Sequence, residues 1–160
     1  MRSPPLYFAA CLSLSLASEA GAAGSASDAK TVIVTATIST RTSLRVSTQL
    51  LQFDVGADGH AVSVVDFAAG ARTRDGEEVF LTVEPLAAVS GPDGASVADT
   101  SLSFAGDGVG TLSGRVVTSA PTVTGRWQGS GLRAGRLLFS LRASVPGRYT
   151  VPVRFLLTAP

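Results

Sequence analysis

From Lys30 onward the sequence alternates apolar and polar residues with a period of two. Such alternation places every second side chain on one face of a β strand. No stretch of about ten residues shows the period of a helix, and β-branched residues are concentrated between breaks that contain glycine. The chain after Lys30 is therefore predicted to be all β.

Asp-Gly pairs separate the predicted strands, and glycine tolerates the positive φ that tight turns need. These pairs are Asp58-Gly59, Asp75-Gly76, Asp93-Gly94 and Asp107-Gly108. Roughly eight to ten short strands with turns of this kind predict a single antiparallel β-sandwich over residues 30–160. The predicted type is immunoglobulin-like, with a jelly roll as the alternative.

Several segments have apolar residues on one face only, which predicts the side that faces the core. The predicted inward residues are Leu44, Val46, Leu51, Phe53, Val55, Val79, Leu81, Val83, Leu137, Phe139, Leu141 and Ala143. Trp127 alternates with Val123 and Gly125, which predicts a core or rim position for the indole.

The segment from Gly147 to Pro160 alternates more regularly than any other part of the chain. Its inward face is predicted to carry Tyr149, Val151, Val153, Phe155 and Leu157, with Pro152 pointing outward. Proline has no N–H for a strand ladder, so Pro152 predicts either an edge strand or a bulge.

The first 26 residues have the layout of a secretory signal peptide, with Arg2 ahead of an apolar run from Leu6 to Ala17. That run of about 12 residues is too short to span a bilayer. Small residues allow cleavage between about residues 22 and 26. We therefore expect a secreted protein, in the periplasm or at the cell surface, with no membrane span after cleavage.

Cleavage there would remove Cys11, the only cysteine, and leave about 135 residues, enough for one domain with an adequate core. No disulfide, thiolate metal site or cysteine nucleophile is then expected. His60 is the only histidine, and no GxSxG motif is present, so we expect no enzyme. The acidic residues lack a DxDxD spacing, and no metal or cofactor is expected.

The formal net charge is +1, and the basic residues are scattered singly. This pattern does not favour nucleic-acid binding. The second half of the chain is richer in arginine than the first, which allows head-to-tail contacts between copies or simply a solvated surface.

The C-terminal pattern, with Gly147, Tyr149, Val151, Val153, Phe155 and Leu157, resembles the last strand of chaperone-usher pilin subunits and related secreted bacterial immunoglobulin-like proteins. The stretch from Thr31 to Ser39, with Val32, Val34, Ala36 and Ile38 alternating, is similar to the donor strand by which such a subunit completes its neighbour. The resemblance implies a periplasmic subunit that a chaperone delivers to an outer-membrane usher for assembly into a fibre.

These observations lead to two hypotheses. The first is a non-enzymatic structural or interaction protein of the cell envelope, in the form of a pilin-like fibre subunit, that self-associates or binds a protein partner by β-strand addition. The candidate partner-strand residues are Val32, Val34, Ala36, Ile38, Tyr149, Val151, Pro152, Val153, Phe155 and Leu157. The alternative is a small extracellular module that recognises glycan or peptide through its loops.

Overall fold

A computed structural model describes residues 40–74, 76–94, 97 and 101–159. The predicted signal peptide and the segment from Thr31 to Ser39 lie outside these residues. The strands are β1 (Arg41–Val46), β2 (Leu50–Val55), β3 (His60–Arg72), β4 (Glu78–Pro85), β5 (Leu102–Asp107), β6 (Ser113–Arg115), β7 (Thr122–Gln128), β8 (Gly131–Arg142) and β9 (Gly147–Thr158). A short 3-10 helix spans Pro92–Gly94. The described part of the chain contains no helix long and apolar enough to cross a membrane.

The strands form two antiparallel sheets, which confirms the all-β prediction and is consistent with a β-sandwich. The five-stranded sheet has the order β1-β3-β8-β5-β6, and the four-stranded sheet has the order β2-β9-β4-β7. Because β3 and β8 have twelve paired positions, they form the longest ladder of the five-stranded sheet.

The inward faces of the two sheets meet in one apolar core. Phe139 of β8 lies 6.3 Å, between ring centroids, from both Phe104 of β5 and Phe155 of β9, so its ring joins the two sheets. Most of the predicted inward residues are buried here: Leu51, Phe53, Val55, Val79, Leu81, Val83, Leu137, Phe139 and Leu141. Leu44, Val46 and Ala143 are partly buried against them.

The four glycines of the Asp-Gly pairs all have positive φ, from 71° at Gly59 to 147° at Gly108. The turn prediction is therefore confirmed at these glycines, although Asp75 lies outside the described residues. The turn at Gly59 does not close a hairpin within one sheet, because β2 and β3 belong to different sheets. Only the turn at Gly108 joins strands that pair directly, β5 and β6.

The first two strands run along one side of both sheets, and the chain changes sheet between them. Ser47 still donates its main-chain N–H to Asp66 of the five-stranded sheet (2.9 Å), whereas Gln49 already accepts from Val153 of the four-stranded sheet (2.8 Å). The chain thus passes from one sheet to the other within residues 47–49. On this side β1 pairs with only the second half of β3, and β2 pairs with only the first half of β9.

β9 lies inside the four-stranded sheet, between β2 and β4, so an edge position is the wrong alternative for Pro152. Its carbonyl accepts from Leu86 (2.8 Å), just after the last β4–β9 pair, Pro85 with Val153. β4 ends at Pro85, and the next pairing on that side is an isolated bridge between Ser90 and Thr150. Pro152 therefore lies just beyond the end of the β4–β9 ladder, where its missing N–H costs the ladder little.

Substitution of Phe139 by alanine is expected to lower the free energy of unfolding by about 3–5 kcal/mol, because it leaves a cavity between the sheets. Leu132→Ala is the matched control, since Leu132 is 85% exposed in the same strand, and its expected effect is within about 0.5 kcal/mol. Urea unfolding followed by circular dichroism gives both values. Equal losses for the two variants would contradict the core assignment.

Candidate functional site

The structure divides the predicted partner-strand residues into three groups. Val32, Val34, Ala36 and Ile38 lie outside the described residues. Tyr149, Val151, Val153 and Phe155 are buried core residues, so their side chains are not free to contact a partner. Pro152 lies just beyond the end of the β4–β9 ladder, and Leu157 is half-buried near the end of β9.

The main chain of β9 faces β2 and β4 at alternate residues. Val153 donates to Gln49 on the side of β2, whereas Thr150 exchanges hydrogen bonds with Ser90 on the side of β4. By this alternation the N–H and C=O groups of Phe155 and Leu157 point to the side of β2. All residues from Val153 to Thr158 lie in register with β4, and by the same alternation the main-chain groups of Arg154, Leu156 and Thr158 point toward it.

Beside Phe155 and Leu157 the four-stranded sheet has no further strand within the described ranges. The β2–β9 ladder begins at Leu50, opposite Pro152, and runs only toward Gly147. We call the stretch Phe155–Leu157, on the side of β2, the open edge of β9. Unpaired main-chain groups in an extended strand are a template for pairing with another strand.

Apolar residues lie on both elements that meet near this end of the sheet. β1 contacts β9, and Leu44 and Val46 of β1, Leu157 of β9 and Ala159 just after β9 are partly buried against the core. A strand that paired with β9 here would therefore find apolar contacts for the side chains on its inner face as well as main-chain partners.

The change of sheet also leaves the first half of β3 without a pairing strand on the side of β1 among the described residues. There β2 runs alongside, joined to β3 by the turn at Gly59, and a groove of about 490 Å³ between them is lined by Leu50, Val62 and Val64 among others.

Other edges are less suitable for strand addition. The outer side of β7 is partly covered, since Arg126 donates to Gly110 (2.7 Å) and Leu112 donates to Thr124 (2.9 Å). The outer edge of β1 carries Arg41 and Arg45, and charged residues discourage pairing at an edge.

Four arginines of the basic second half are paired with carboxylates on neighbouring strands. The pairs are Arg126–Glu78, Arg136–Asp107, Arg148–Asp54 and Arg154–Glu84. The hydrogen bond from Arg148 to Asp54, and then the attraction between the two charges, raise the pKa of the guanidinium. These arginines are therefore locally neutralised.

Trp127 is a core residue, with 7% of its surface exposed. Its predicted partner in the alternation, Val123, is instead 39% exposed. The reason is a bulge in β7, because the register shifts between Leu81, opposite Gly125, and Thr82, opposite Val123. The extra residue, Thr124, points inward and donates to the carbonyl of Leu81 (3.2 Å). Sequence alternation alone does not reveal such an insertion.

No three His, Cys, Asp or Glu side chains lie close enough to hold a metal ion within residues 40–74, 76–94, 97 and 101–159. Comparison of the chain with protein-family models, with curated proteins and with solved structures found no match.

The burial of Trp127, the only tryptophan, predicts a fluorescence signature. The folded chain is expected to emit at shorter wavelength than the unfolded chain and to be quenched by acrylamide several-fold less. Steady-state emission and Stern–Volmer plots in buffer and in urea measure both properties. Quenching of the folded chain as strong as that of the unfolded chain would place the indole at the surface.

Proposed function

We propose that this chain is a non-enzymatic structural or interaction protein of the bacterial cell envelope that associates by β-strand addition. The open edge of β9 is the site that accepts the strand. Main-chain hydrogen bonds give affinity in this mode of recognition, and pockets for alternate side chains give specificity.

We also propose that the sandwich is of immunoglobulin-like type. The strand positions support this arrangement: β1, β3, β8 and β5 lie side by side, as strands A, B, E and D do in that fold, and β4 lies beside β9, as C lies beside F. The place next to F belongs to a last strand, G. In this chain β2 fills that place along only the first half of β9.

The observation that carries the proposal is that no described strand pairs with β9 on the side of β2 at Phe155 and Leu157. β1, which carries the partly buried Leu44 and Val46, also contacts β9. An added strand would complete the missing half of position G. It would also cover apolar surface that is otherwise open to water, which favours association.

The strand that we assign to this edge is the segment from Thr31 to Ser39 of a second copy. Its apolar residues recur at every second position, as a half-buried strand requires. Since β1 continues into β2, which runs antiparallel to β9, the start of β1 lies toward the C-terminal end of β9. To pair with its own β9, the segment would have to reverse direction near Thr40, whereas a segment from another molecule need not.

The proposed location is the periplasm or the cell surface. The signal-like first 26 residues support it, and they would be removed before assembly. Their removal would leave the segment from Thr31 close to the new N-terminus and free to reach another molecule.

Two pairs of substitutions in the full chain test strand addition. Val34→Lys with Ile38→Lys puts charges on the apolar face of the segment and is expected to abolish association, because charges would face the core of the neighbour. Thr35→Lys with Thr37→Lys adds the same charge to the opposite face and is the matched control. Sedimentation velocity over a concentration series measures the oligomers of each chain.

Strand addition predicts concentration-dependent oligomers for the original chain and the control, and monomers for the variant with lysines at 34 and 38. A strictly monomeric original chain, or identical sedimentation of all three chains, would contradict the proposal.

A further inference from the structure

The outer face of the five-stranded sheet contains a polar groove of about 490 Å³ that the open edge does not involve. It is lined by His60, Ser101, Ser103, Arg115, Ser140 and Arg142. The strand registers arrange these residues in two neighbouring rows. One row runs from Ser140 through Ser103 to Arg115, and the other pairs Arg142 with His60.

The two arginines of the groove differ from those elsewhere in the basic half of the chain. Among the described residues, neither Arg115 nor Arg142 has an ion pair or a side-chain hydrogen bond. Their Cα atoms are about 12 Å apart on the spacings of an antiparallel sheet, so both long side chains can reach a ligand above Ser103. Unpaired guanidinium groups favour bidentate binding of an anion.

Among the described residues, no carboxylate forms an ion pair with either arginine of the groove. Asp66 and Asp107 share a row with Arg136, which pairs with Asp107. That row lies about 14 Å along the strands from the row of Ser140, beyond the screening length at physiological salt. Asp58, in the turn before His60, accepts the main-chain N–H of His60 (3.4 Å).

Between the arginines the groove presents hydroxyl groups, and each can both donate and accept a hydrogen bond. Ser103 of β5 and Ser140 of β8 face each other across the ladder, with Ser101 at its end. β5 and β8 are interior strands, so their main-chain groups are already used in ladders. A peptide therefore cannot add as a strand between Ser103 and Ser140, and recognition there depends on the side chains.

We propose that this groove binds an acidic oligosaccharide. The carboxylate or sulfate groups of the glycan pair with Arg115 and Arg142, and its hydroxyl groups bond to Ser103, Ser140 and the imidazole of His60. The open side of the groove accommodates a chain of sugars rather than a single enclosed one. No aromatic ring lines the groove, so a neutral sugar would lack a surface on which to stack.

Titration calorimetry of the full chain at physiological ionic strength tests the proposal with four probes. The probes are a polygalacturonate oligomer, a sulfated dextran oligomer, a neutral dextran of matched length and a phosphopeptide of matched charge. Binding is expected for one or both acidic glycans, at least tenfold tighter than for the neutral dextran and the phosphopeptide. If only one acidic glycan binds, it identifies carboxylate or sulfate as the preferred group.

The variant Arg115→Gln with Arg142→Gln is expected to lose at least tenfold in affinity. Arg41→Gln with Arg72→Gln removes the same charge from the other end of the same sheet, where the two residues are paired in register, and should change affinity less than twofold. Ser140→Ala, which keeps the charge, is expected to weaken binding several-fold.

Equal losses in the two double variants would show general attraction to a basic surface and overturn the proposal. Neutral dextran binding as well as the acidic glycans would also overturn it, as would the absence of binding to either acidic glycan. Tighter binding of the phosphopeptide would overturn the assignment to a glycan.

Discussion

The change of sheet at residues 47–49 is the constraint from which the most informative features of this structure follow. One continuous segment, β1 followed by β2, forms an edge of both sheets, because Ser47 bonds to β3 and Gln49 bonds to β9. It can therefore cover only half of each sheet. Within the described residues no strand pairs with the other half of β9 on that side. Main-chain groups left unpaired in a strand are satisfied by water or by another strand.

The two proposed binding sites use different parts of the molecule and different chemistry. The open edge of β9 offers main-chain groups and apolar contacts in the four-stranded sheet, whereas the groove around Arg115 and Arg142 offers charge and hydroxyl groups on the outer face of the five-stranded sheet. Because addition of a strand beside β9 would leave that outer face exposed, a fibre of such subunits would present the groove repeatedly. Repetition would raise the avidity for a polymeric glycan.

Alternation predicted which side chains form the core, because one buried face imposes a period of two on each strand. The same period could not predict the exposure of Val123. The extra residue Thr124 turns the residues before it in β7 to the opposite face of the sheet. Pro152 indicated that a strand ladder is interrupted, but the sequence did not show that β9 lies inside a sheet, because that position depends on pairing between distant segments. The groove could not be predicted for the same reason: Arg115 and Arg142 come together only through the register of β6, β5 and β8.

Amide hydrogen exchange along β9, measured residue by residue by NMR in the full chain, tests the open edge most directly. In dilute, monomeric protein the N–H groups of Phe155 and Leu157 should exchange much faster than those of Val151 and Val153, which face β2 and Gln49. Both should become protected at concentrations where the chain associates. Protection of Phe155 and Leu157 equal to that of Val151 in the monomer would contradict the account, because it would mean that the edge is already paired.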